Sequence, residues 1–316
     1  MSSVYPFTIM TPTYNRAHTL QRAYDSLCEQ SVQDFEWVIV DDGSTDHTAE
    51  LVAQWQRQAS FPIVYHWQTN QHKKTAFNQG VKLAKGELLV ALDSDDTLVP
   101  NALEQLQKHW AAIDASERAN YLGVVGLCAR PNGQIVGDRF PADPLDITSL
   151  ELNFRYNVRG EKFGALRTDV LAKFPFPEDI PGFVPESLVW RSIARAGYKT
   201  RFVNTVFRVY YDSADSLSVQ GKTSQQHALG LWLLAYDTVQ FCWPWAKHDP
   251  KAWLMAAVRY TRFGKHLRAT QTKAPAGYKL RGWRARGVVA LMSPLGYVLY
   301  WRDCQRSRTS RTEHQA

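Results

Sequence analysis

The chain has 316 residues, 45% hydrophobic and 21% charged, a globular composition with room for one large domain or two small ones. Its 37 Lys and Arg outnumber 30 acidic residues, giving +7, yet no aromatic-plus-basic recognition motif accompanies that charge, so nucleic acid is not an expected partner. A membrane-spanning helix is excluded too, because it needs ~20 apolar residues and the longest run, Val288 to Trp301, has 14 and contains Pro294.

The predicted elements alternate through the first 130 residues. Phe7 to Met10 is a short apolar strand, and Leu20, Tyr24 and Leu27 then recur at helical spacing. Phe35 to Val40 is a second strand that runs into Asp41-Asp42-Gly43, and Leu51, Val52 and Trp55 mark the helix after it. Ile63 to Trp67 is a third strand; Phe77, Val81 and Ala84 mark the next helix, with Gly86 expected as its C-cap. Glu87 to Leu92 is a fourth strand, Leu103, Leu106 and Trp110 give another helix, and Tyr121 to Arg130 is a fifth strand ending in an Asn132-Gly133 hairpin turn. Beyond it, Ser187 to Ala196 reads as a helix and Thr200 to Tyr211 as one or two strands. From about residue 223 the pattern is helical through Trp301. Cys28, Cys128, Cys242 and Cys304 lack metal-binding spacing and read as reduced thiols. With a start that lacks the features of a signal peptide, this points to a cytoplasmic protein.

Strand–helix alternation with continuous apolar strands predicts an α/β fold whose mostly parallel sheet is covered by helices on both faces. Ligands in such sheets bind beyond the carboxyl ends of the strands. Three polar groups are expected on that rim: Thr11-Pro12-Thr13-Tyr14-Asn15-Arg16 after the first strand, Asp41-Asp42 after the second, and Asp93-Ser94-Asp95-Asp96 after the fourth. Two carboxylates at Asp-x-Asp spacing suit a hard divalent cation, Mg²⁺ or Mn²⁺, shared with a substrate diphosphate; alone they read more readily as a solvated turn or helix cap, and their place on the same rim as the other two groups favours the metal. Asp41 and Asp42 can cap a turn or accept from a base or ribose, and one can do each. His72, Lys73 and Lys74 precede the third helix on the same rim, as a phosphate contact or a solvated pair. Glu186 opens a helix after Pro181, Gly182 and Pro185, either as a charge on the helix dipole or as a general base. No Gly-x-Gly-x-x-Gly and no Walker lysine loop occurs, so dehydrogenase and P-loop readings lose support. A nucleotidyltransferase also uses a sheet rim and a metal, but lacks support from the start FTIMTPTYNR.

The stretches FTIMTPTYNRAHTLQRAYDSLCEQSVQDFEWVIVDDGSTDHT and KGELLVALDSDDTLVPNAL resemble the family 2 glycosyltransferases. The likeness covers roughly residues 1 to 130, with weaker support to about 212. It implies the A-type glycosyltransferase fold, a nucleotide-sugar donor (a UDP-sugar) and a Mg²⁺ or Mn²⁺ cofactor. By resemblance, Thr11, Pro12, Tyr14, Asn15 and Arg16 form the first nucleotide-contacting loop, Asp42 reads the uracil, and Lys74 and Ser94 contact the donor. Asp93 and Asp95 match the carboxylates near the ribose and the metal-bound diphosphate, with Asp96 beside them as a third metal ligand. Glu186 takes the place of the base of the inverting members, ahead of Leu188, Arg191 and Gly197-Tyr198-Lys199; where the family usually carries Glu-Asp, this chain has Pro185-Glu186. The processive members' Gln-x-x-Arg-Trp motif is absent, which favours addition of one sugar to a carbohydrate or lipid-linked hydroxyl in polysaccharide or glycolipid synthesis. A non-catalytic nucleotide-sugar binder on the same fold is the alternative. The resemblance implies a catalytic domain over 1–220, with 1–130 on the donor side and 131–220 on the acceptor side; the helical pattern of the residues beyond it marks an extension over 221–316.

That extension is basic and Trp-rich. Trp243, Trp245, Trp253, Trp283 and Trp301 interleave with Lys and Arg, and Asp249 and Asp303 are the only acids between Lys247 and Arg311. Peripheral contact with the inner face of a membrane is the expected use of such a segment, with helical packing and homo-oligomer formation as the other readings.

Overall fold

The computed structural model describes residues 4–211 and 227–313, with side chains through residue 306. The chain divides into two units, Met1–Glu178 with Val189–Val219, and Asp179–Leu188 with Gln220–Ala316. The boundary expected at 220/221 and the start of the helical pattern at 223 lie outside the described residues.

The first unit holds a nine-stranded sheet: β1 (Tyr5–Thr13), β2 (Phe35–Asp41), β3 (Ile63–Trp67), β4 (Gly86–Ala91), β5 (Thr97–Leu98), β6 (Tyr121–Ala129), β7 (Leu145–Ile147), β8 (Lys162–Arg167) and β9 (Lys199–Val209). The spatial order is β3-β2-β1-β4-β8-β6-β9-β5, with β7 also on β9. The strands β3, β2, β1 and β4 pair in parallel. β8 pairs antiparallel with both β4 and β6, and β9 is parallel to β6, so β6 and β9 run the same way as β1. The sheet is therefore mixed but mostly parallel, and the carboxyl ends of six strands share one rim. The helices α1 (Ala17–Cys28), α2 (Thr48–Gln58), α3 (Lys73–Leu83) and α4 (Ala102–Ala111) follow β1, β2, β3 and β5. α5 (Ser149–Phe154), α6 (Thr168–Lys173) and α7 (Ser187–Arg195) come later.

The apolar spacing of the sequence builds the core as its period implies. Leu20, Ala23 and Leu27 of α1, Val52 and Trp55 of α2, and Leu103, Leu106 and Trp110 of α4 are buried against Phe7, Ile9, Trp37, Ile39, Leu88 and Val90 of the sheet. Tyr24 stacks on Trp55 with ring centres 4.6 Å apart, and the Trp37 indole nitrogen donates to Thr11 Oγ1 at 2.9 Å. These two tryptophans are packing residues with a satisfied polar edge.

One position departs from its sequence reading, and a second carries a buried charge. Gly86 is not a helix cap: α3 ends at Leu83 with an extended Ala84, and Gly86 opens β4. Its lack of a side chain matters because a Cβ there would lie 2.3 Å from the Thr8 nitrogen. Glu36, in the middle of an apolar strand, is buried, and its carboxylate accepts from Thr8 Oγ1 (2.6 Å) and the Lys85 amide, while Thr8 Oγ1 accepts from the Gly86 amide (2.8 Å). A buried carboxylate is tolerable when it is hydrogen-bonded in this way. The net pins the amino ends of β1, β2 and β4 opposite the rim.

The second unit contains α8 (Ala228–Phe241), α9 (Pro250–Ala269) and α10 (Trp283–Glu313). α9 begins with Asp249 accepting from the Ala252 amide at 2.8 Å and Pro250 at its first position, a favoured helix start. Val239 of α8, Trp253, Ala256 and Ala257 of α9, and Ala285 and Val288 of α10 make its core. Arg262 of α9 grips Asp303 of α10 through two bonds of 2.6 Å, and His266 adds a third contact at 2.9 Å. No described helix is long and apolar enough to cross a membrane.

Candidate active site

The rim of the first unit brings together most of the polar residues singled out above. β1 and β2 end in register, Thr13 opposite Asp41, so the loops that follow them meet. Asn15 adopts a left-handed φ of 52°. Its amide donates to Ser44 Oγ (2.8 Å), and its Oδ1 accepts from the Thr45 amide (2.8 Å). The first amide of α1, at Ala17, donates to Asp46 Oδ2 at 3.1 Å, so this helix start is already partly occupied by a protein anion. Arg16 extends from the same loop toward Asp95, with 3.9 Å between Nη1 and Oδ2. Tyr14 is exposed and Pro12 half-buried, whereas Thr11 lies beneath the rim on Trp37.

The two adjacent acids of β2 divide their work. Asp41 holds the turn, accepting from the Ser44 amide (2.7 Å) and the Tyr65 hydroxyl (2.6 Å). Burial and the Asp41 carboxylate together push the Tyr65 hydroxyl pKa up, keeping it a donor. Asp42 is buried to 4% exposure, and both hydrogen bonds it accepts, from Gln68 Nε2 (2.8 Å) and the Gln71 amide (2.9 Å), fall on Oδ1. It fixes the loop that leads into α3.

The acids after β4 separate. Asp93 accepts from Lys73 Nζ at 2.6 Å and from Arg208 Nη1 at 3.4 Å. Burial would raise its pKa, but these two cations outweigh it and hold the carboxyl below its ordinary value. Asp96 is 1% exposed, accepts from the Tyr211 amide at 3.0 Å and lies 3.3 Å from Arg208 Nη1. Burial pushes it up to about 7, against the pull of Arg208. Ser94 is buried between them, and Asp95 faces Arg16. Lys74 is buried at the start of α3, one residue after the lysine that reaches Asp93.

Residues 8–162 match the family model described as Glycosyl transferase family 2. They belong to glycosyltransferase family 2. The chain is 36% identical over 118 residues to an uncharacterized glycosyltransferase of Nostoc sp., covering 37% of each. It spans between about a third and about half of the length of the curated relatives it matches. Among solved structures, S. aureus TarS 1-349 in complex with UDP-GlcNAc superposes with a TM-score of 0.56 at 20% identity, over 83% of this chain and 72% of that one. The mannosyltransferase PcManGT from Pyrobaculum calidifontis, in complex with GDP-Man and Mn²⁺, gives 0.56 at 19% identity over 95% and 84%. At such identities the likeness establishes the A-type glycosyltransferase fold.

In this family 2 domain, Asp93, Asp95 and Asp96 do not form a three-carboxylate cage. Among the described residues, no three Asp, Glu, His or Cys side chains converge to hold a metal, and two of these acids are instead paired with a buried cation, Arg208. It sits near the carboxyl end of β9, 5% exposed along its side chain, within 3.4 Å of Asp93, Asp96 and Glu161. Its guanidinium also lies 5.0 Å from the centre of the Phe163 ring. Neither Arg208 nor Glu161 is among the residues marked by sequence motif. The available signal was one arginine inside the apolar stretch Val203 to Tyr211. A divalent cation needs only one or two carboxylates when a diphosphate supplies the rest. Asp95, which approaches Arg16 at 3.9 Å rather than Arg208, fits that smaller donor set.

Glu186 is exposed and lies in the segment Asp179–Leu188, which groups with the second unit. Pro185 accepts from the Leu188 amide at 3.1 Å as the helix begins. Glu178, a neighbouring carboxylate, is engaged by Asn78 Nδ2 at 2.8 Å.

Proposed function

We propose that the chain transfers one sugar from a UDP-sugar to a hydroxyl of a carbohydrate or lipid-linked acceptor, with inversion at the anomeric carbon. The observation that carries this reading is the approach of Arg16, from the loop after β1, to Asp95, from the loop after β4. A cation and an acid from separate crossovers stand on the rim where α/β sheets bind nucleotides. The UDP-GlcNAc bound by TarS, a chain of the same fold, supports the choice of donor.

In this mechanism Asp42 accepts the uracil N–H. Arg16 pairs with a diphosphate oxygen. Asp93, held by Lys73 and Arg208, stays ionised and accepts from a ribose hydroxyl. Glu186 removes the proton of the acceptor hydroxyl as that oxygen attacks the face of the sugar opposite the leaving diphosphate. Asp95 would hold Mg²⁺ or Mn²⁺, which would supply Lewis-acid stabilisation of the leaving charge. PcManGT, again a likeness of fold, is a structure with Mn²⁺ and a nucleotide sugar.

The test is hydrolysis of a panel of nucleotide sugars by wild-type protein and Asp95→Ala, with and without Mn²⁺. Slow turnover of UDP-sugars that disappears in Asp95→Ala supports the enzyme. Tight donor binding with no turnover of any sugar, with or without added acceptor, favours a nucleotide-sugar binder.

A further inference from the structure

The outward face of α10 is apolar where a helix in water would be polar. Trp283, Leu291, Leu295, Tyr297, Val298 and Trp301 are all exposed, Trp283 to 78% and Leu291 to 74%. At 3.6 residues per turn, Trp283, Leu291, Pro294, Val298 and Trp301 fall on one stripe about 27 Å long. Ala285, Val288, Val289 and Met292 face the other way and pack with α8 and α9. The helix thus has two apolar faces, and its own unit uses only one. A continuous exposed stripe of this kind marks an interaction surface.

The charges beside it identify the partner. Arg284, Arg286, Arg302 and Arg306 are exposed along the same helix. The only carboxylate between Trp283 and Arg306 is Asp303, and Arg262 and His266 of α9 hold it. The surface therefore offers apolar side chains and cations with no anion of its own. A second copy docking through the same patch would bring arginine against arginine with no carboxylate to receive them. An anionic bilayer supplies both missing complements, acyl chains for the stripe and phosphates for the guanidiniums. Tryptophan and tyrosine are the residues that settle at that boundary.

We propose that this face of α10 docks on an anionic lipid bilayer, the helix lying in the plane of the interface with Leu291, Val298 and Trp301 among the acyl chains. Apolar area and basic charge together make the two signals that stable peripheral binding requires. The surface belongs to the second unit, and the proposal does not depend on the reaction assigned to the first.

The experiment is co-sedimentation of the full chain with vesicles of phosphatidylcholine containing phosphatidylglycerol, and with vesicles of phosphatidylcholine alone. The wild-type chain is expected on the anionic vesicles and only weakly on the neutral ones. Arg284→Gln/Arg286→Gln/Arg302→Gln loses about five-fold in partitioning per arginine removed. Leu291→Ser/Val298→Ser/Trp301→Ser loses at least about tenfold, since it withdraws most of the inserted area. All six positions are exposed, so both variants keep their circular dichroism. Equal binding to neutral and anionic vesicles, or full binding by the serine variant, overturns the proposal. So does a vesicle-free dimer that the serine variant dissociates.

Discussion

Arg208 Nη1 lies 3.3 Å from the carboxylate of Asp96, and the two are almost wholly withdrawn from water. This pair joins β9 to the acidic loop after β4, on which the proposed chemistry rests. Arg208 also reaches Asp93, so one buried cation sets the direction of two of the three acids.

Replacing Arg208 by Met leaves Asp96 buried without its counter-charge, a change that costs about 3–5 kcal/mol. Urea unfolding of Arg208→Met should show that loss, and Arg208→Met/Asp96→Asn should recover most of it. Donor KM separates positioning from stability. It should rise about 10–100-fold in the single variant and stay high in the double, because Asp93 still lacks its second partner. A double variant with both stability and KM restored would reduce Arg208 to a charge neutraliser.

Asp303 gives a prediction about pH. Its burial favours the neutral acid, but the Arg262 and His266 contacts dominate and lower its pKa below 3.8. A lowered carboxylate stabilises the fold above its unfolded pKa, and the contribution fades as pH falls through the folded value. Asp303→Asn should therefore be less stable than wild type by about 2 kcal/mol at neutral pH. The gap should close as the pH drops below about 4. A gap that does not change with pH would mean the pair contributes through packing alone.

At Gly86 the constraint is steric. A methyl group there meets the backbone of Thr8, which cannot move without breaking the β1–β4 ladder. Gly86→Ala should lose about 3 kcal/mol in urea unfolding, at the upper end of overpacking costs. A neutral result would show that β4 can slide.

Much of this was legible in the sequence, and the failures have physical causes. The strands at Phe7, Phe35 and Leu88 announce themselves because they are central and mostly buried, so their apolar runs are nearly continuous, and the half-buried edge strand at Ile63 still reads as a β-branched and aromatic run. β8, reading Lys-Phe-Gly-Ala-Leu-Arg, is short and mixed in character, and its antiparallel place between β4 and β6 depends on contacts far apart in the chain. The rim acids could be found because like charges bunched after apolar strands are unusual. Their partner Arg208 left only its place in an apolar stretch as a sign, and nothing local names the three carboxylates it meets. Lys73 and Lys74 stand side by side at the start of α3, and only the helix phase decides which one meets Asp93.

Glu186 carries the proposed base role. Glu186→Gln should lower kcat for transfer by about 10²–10⁴ while leaving donor KM unchanged. A fully active variant would move the base to another carboxylate, with Asp179 ahead of Glu178, whose Oε1 already accepts from Asn78.

The most direct test is the turnover of UDP-sugar by wild-type protein and by Asp95→Ala, each in Mn²⁺ and in chelator. Turnover in wild type with Mn²⁺, and in none of the other three conditions, is the predicted result, with Asp95→Ala as stable as its parent. Undiminished turnover in Asp95→Ala under chelation would contradict the account.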